Sequence, residues 1–142
     1  RASLNVFVPP ASEWRDVQFL DIGGPDEVLN EKVQVCADLA YALSHRLIVC
    51  VRYDQTRSQA TQLLVEAIRA RAPYHFDDAL ATREQCPLMF VVTQADQVLE
   101  GEGEDLEVVR QNLRALLHMV LHDCPELVHT VPIIVVSAKN AL

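Results

Sequence analysis

Residues 88–96 read Leu-Met-Phe-Val-Val-Thr-Gln-Ala-Asp (LMFVVTQAD). The first five form an unbroken apolar run, too short for a helix. Such a run predicts a strand buried on both faces. The segment then turns polar and closes on a carboxylate. Leu47-Ile48-Val49-Cys50-Val51 is a second run of this kind, and Ile133 to Val136 is a further strand. Helical spacing fills the stretches between. Val28 to His45 carries Val28, Val35, Leu39, Ala42 and Leu43 on one face. Ser58 to Arg71 is a second amphipathic helix, closed by Pro73. Leu106 to Leu121 is a third, with Leu106, Val109, Leu113, Leu116, Leu117 and Val120 at near-helical spacing.

Strands alternating with helices predict an α/β fold with a mainly parallel sheet. Ser3 to Val8 and Asp16 to Ile22 predict two more strands, separated by Pro9-Pro10 and a short link. That spacing suits a hairpin, which adds one antiparallel edge. Gly23-Gly24-Pro25 ends the second strand. Tyr74 to Gln85 is polar and irregular and reads as a loop; Gly101 to Asp105 (GEGED) reads as an acidic one. No internal repeat or low-complexity segment is found.

A length of 142 residues, half of them apolar, suits one domain with a true core. Twelve basic against twenty acidic residues give a net charge of −8, which argues against a general electrostatic grip on nucleic acid or anionic lipid. The four cysteines, Cys36, Cys50, Cys86 and Cys124, form no CxxC pair. Cys36 and Cys50 lie in apolar segments and are expected to act as small core residues. Reduced cysteines imply an intracellular protein, cytoplasmic or on the cytoplasmic face of a membrane. No apolar run approaches the roughly 20 residues that span a bilayer, and no signal-peptide pattern follows Arg1. The chain starts without Met and reads as a piece of something longer.

Open α/β sheets bind ligands outside the carboxyl ends of their strands. Three segments stand there: Asp21-Ile22-Gly23-Gly24, Thr93-Gln94-Ala95-Asp96 and Ser137-Ala138-Lys139. In this order they resemble the third, fourth and fifth motifs of the P-loop GTPases, DxxG, N/T-K/Q-x-D and SA-K/L. The likeness covers residues 1–142, from the second strand of a Ras-like G domain through its guanine loop. It implies that Asp21 holds a magnesium ion through water and that Gly24 offers its N–H to the γ-phosphate. It also implies that the Asp96 carboxylate accepts two hydrogen bonds from guanine, a pair adenine cannot make. The Ala138 N–H would meet the guanine oxygen, with Thr93 and Ser137 in the same two motifs. Gln94 and the stem of Lys139 would flank the base. Each motif also has an ordinary reading. Asp-x-Gly-Gly is a common turn, Thr and Asp suit a helix start, and SAKN can be a strand-to-helix turn.

The chain departs from the family at several points. Gln94 stands where Lys is usual, removing a cation and some apolar stem. Pro25 stands where Ras-like enzymes carry the Gln that orients water. No GxxxxGK[ST] occurs, so the first strand and P-loop are absent, and this chain alone is expected neither to bind Mg2+ and GTP tightly nor to hydrolyse GTP. In a Ras-like sheet the missing strand lies between the DxxG strand and Leu47–Val51. Its absence should leave a gap with two unpaired buried edges, unless the strand is supplied by the rest of the parent protein or the domain is rearranged to close the gap. Long inter-motif spacings and the ending VSAKNAL resemble the dynamin superfamily, including mitofusin-like and bacterial dynamin-like members; a Roc-type domain is a rival.

Two functions stay open. One is a GTP-binding and GTP-hydrolysing domain that drives assembly or switching, with membrane association through other domains. The other is an inactive pseudo-GTPase that serves as an interaction scaffold. His118 and His122, with Cys124 nearby, have zinc-compatible spacing but no Glu at the HExxH position. They read more simply as late-helix residues favoured by the helix dipole. Ser44-His45 reads as a helix end, Glu100 to Glu107 as a solvated acidic run, and Trp14 as a cap on the core.

Overall fold

The structure is a computed structural model that describes residues 5–7, 18–21, 31–82, 86–95 and 106–136. The chain divides into two compact units, residues 1–45 and 46–142. In the first, β1 (Asn5–Phe7) pairs antiparallel with β2 (Phe19–Asp21), in the register Asn5 to Asp21 and Phe7 to Phe19. This is the expected hairpin. Helix α1 (Glu31–Leu43) follows.

The face expected to bury α1 does not. Val35, Leu39 and Leu43 are exposed, as is Ala42, while Ala37, Ala40 and Tyr41 are buried. At about 100° per residue the helix carries two apolar stripes on opposite sides. Hydrophobic spacing picks the one with larger side chains. The buried stripe is made of two alanines and Tyr41.

The second unit holds β3 (Leu47–Arg52), β4 (Leu88–Thr93) and β5 (Ile133–Val135), hydrogen-bonded in that order and all parallel. The expected α/β class with a mainly parallel sheet is therefore present. Helix α2 (Gln59–Arg71) links β3 to β4 together with α3 (Pro73–Thr82). Helix α4 (Leu106–Val120) and the short α5 (Pro125–Val128) link β4 to β5. Both crossovers step across the sheet in one direction, so the right-handed rule puts their helices on one face. Burial agrees. Leu47, Val49 and Val51 of β3 and Leu88, Phe90 and Val92 of β4 are buried, together with Val65, Ile68, Phe76, Val109, Leu113 and Leu117 from the helices. Each such side chain contributes about 1.5–3 kcal/mol when fully covered.

The other face corrects the expectation of strands buried on both sides. Ile48 is 43% exposed and Ile134 44% exposed. Cys50 is also exposed, and Met89 and Val91 are only partly covered. Cys50, which was expected in the core, points to this open face, and Cys36 is half-buried. The fully covered thiols are Cys86 and Cys124, in segments that apolar run length did not single out. All four are free.

Pro73 ends α2 as expected, but the stretch after it is helical rather than a loop. Proline lacks the N–H that a first helical position would leave unpaired anyway, so Pro73 opens α3 as well as it stops α2. Phe76 and Ala79 anchor that helix in the core. Ser58 caps α2, its Oγ accepting the Thr61 N–H at 3.1 Å, and the Ala72 N–H closes it on the Ile68 carbonyl at 2.9 Å.

β2 and β3 belong to different sheets.

Candidate functional site

Carboxyl ends of parallel strands are made where the ladder stops and the chain must turn away. At β4 it stops at Thr93, and the next residue, Gln94, has φ of 59°. This left-handed conformation costs a residue with a Cβ about 1–2 kcal/mol. It is the sole positive φ at a non-glycine among the described residues. Strain of this kind persists where surrounding structure over-determines it, and here the surroundings are specific. The Val136 N–H donates to the Val92 carbonyl at 2.8 Å, and the Ala95 N–H donates to the Val136 carbonyl at 3.3 Å. Ala95 is itself buried. The two bonds hold the end of β4 and Ala95 against Val136.

The geometry therefore brings Thr93–Ala95 and Val136 to adjacent strand ends. Thr93 is half-buried and Gln94 exposed. Asp96, Ser137, Ala138 and Lys139 lie outside the described residues, as does Gly24. Asp21 is the last residue of β2, in the first unit. The expected pairing of Asp21 with Gly24 at a phosphate falls on residues only partly described.

A further feature of this edge was not anticipated. Arg52 ends β3 and stands in register with Thr93. Its Nε donates to Asp54 Oδ1 at 3.0 Å, and an Nη donates to Oδ2. The fork holds the Asp54 carboxyl below its usual value, chiefly through the hydrogen bond from Arg52. Arg52 in turn is raised, again mainly by its hydrogen bond to Asp54. Spacing of i and i+2 at a strand end is the only sequence signal for this pair. Arg52 lies one residue past the apolar run, so run length gives no sign of it.

The histidines are not assembled into a ligand set. His122 Nδ1 lies 3.3 Å from the Met119 carbonyl, and the His118 ring meets His129 edge-on at 5.5 Å. Among the described residues no cluster of three or more His, Cys, Asp or Glu is placed to hold a metal ion. No helix among them is long and apolar enough to cross a membrane. Trp14, Glu100 and the GEGED segment lie outside the described residues. Glu107 sits in the first turn of α4, 4.0 Å from Arg110.

Comparison with known proteins found no family, no curated protein and no solved structure that matches the chain.

Proposed function

We propose that this chain supplies the guanine-recognition part of a Ras-like GTP-binding domain, completed by a strand and phosphate loop from the rest of its parent protein. One observation carries the reading. Thr93-Gln94-Ala95 and Val136, the residues that lead into Asp96 and Ser137, are hydrogen-bonded side by side at the carboxyl ends of β4 and β5. A base held by Asp96 and by the Ala138 N–H needs those two segments adjacent. The parallel order β3-β4-β5 is compatible with a sheet that lacks its central strand. The open face bearing Ile48, Cys50, Val91 and Ile134 supports the same reading. Doubly wound sheets carry helices on both faces.

In such a domain Asp21 would hold Mg2+ through water, Gly24 would meet the γ-phosphate, and Thr93, Gln94, Asp96, Ser137, Ala138 and Lys139 would surround guanine. The ion would neutralise phosphate charge; the residues of this chain would choose the base and orient it. Gln94 and Pro25, which replace the usual Lys and the water-orienting Gln, favour a second reading, a pseudo-GTPase that keeps the fold as a scaffold for assembly. Labelled GTP and ATP titrated into the full-length protein separate the cases. The expected result is GTP binding that Asp96→Asn weakens by on the order of tenfold to a hundredfold, as when a buried bidentate contact is lost. Equal binding of ATP and GTP, unaffected by Asp96→Asn, would sink the guanine site. Binding without turnover would favour the scaffold.

A further inference from the structure

We draw no further inference here: the strongest candidate, the open apolar face of the β3-β4-β5 sheet around Ile48, Cys50 and Ile134, carries nothing because nothing in the structure shows what covers it.

Discussion

Gln94 is held in a left-handed conformation by its neighbours rather than by its own preference. Two substitutions test that. Gln94→Gly removes the Cβ clash but adds freedom to the unfolded chain, and those effects offset to within about 1 kcal/mol. Gln94→Val places a β-branched side chain in the same region and should cost about 1–3 kcal/mol. Urea midpoints should fall in the order Gly, Gln, Val, with Gly at or above Gln. A Val variant as stable as wild type would mean that the turn is not left-handed. Nothing in TQAD announces this backbone, since Gln has no special liking for positive φ. The cysteines teach the same lesson at the other extreme. Cys50 sits inside an apolar run yet faces outward, because alternate residues of a strand point to opposite faces. Cys124 lies next to Asp123 yet is fully buried, and burial, with Asp123 second, pushes its thiol up to about 11.

At the scale of elements, Arg69 joins pieces that sequence reading kept apart. It leaves α2, lies 4.8 Å over the Phe76 ring of α3, and donates to the Pro73 carbonyl at 3.4 Å. It also donates to Asp123, after α4, at 2.9 Å. Its side chain is 17% exposed, so these contacts are shielded more than an ordinary surface pair. Arg69→Ala should cost about 1–3 kcal/mol, and Phe76→Ala about 3–5 kcal/mol through the cavity it leaves. The stretch around Phe76 reads as a loop because a proline and two aspartates mask a helix with only two buried anchors. A urea titration of Phe76→Ala that shows a surface-sized loss would return that stretch to loop status. The Arg69 contact also has a pH signature. Asp123 is lowered from its ordinary 3.8, chiefly by the hydrogen bond from Arg69. A depressed carboxyl stabilises fully above the unfolded value and loses that contribution as pH falls through the folded one. Melting temperature should therefore drop more steeply below about pH 4 in wild type than in Asp123→Asn. The slope difference should vanish in Arg69→Ala. Helix α4 needed no such help. Its apolar stripe at Val109, Leu113, Leu116, Leu117 and Val120 is buried as its spacing predicted.

At the scale of the molecule, the sheet of the second unit has one covered and one open face. If the chain is part of a larger Ras-like domain, that open face is covered in the full-length protein. Ile134→Asp should then change the stability of the 142-residue chain by no more than about 0.5 kcal/mol, as at an exposed site. In the full-length protein it should cost about 2–4 kcal/mol, as for a charge placed in a core. Equal small effects in both would show the face to be a true surface and remove that support for the Ras-like reading. Sequence alone determined the α/β class, the hairpin and the parallel strands. These depend on short-range periodicity, on apolar run length and on proline and glycine, all of which act within a few residues. Only the tertiary structure decided which stripe of α1 is buried and that β3 is covered on one side. It also revealed α3 as a helix and the placement of Arg52 beside Thr93. Each of those depends on what a distant segment brings to the same place. Periodicity can state that a face exists, but only packing chooses the face.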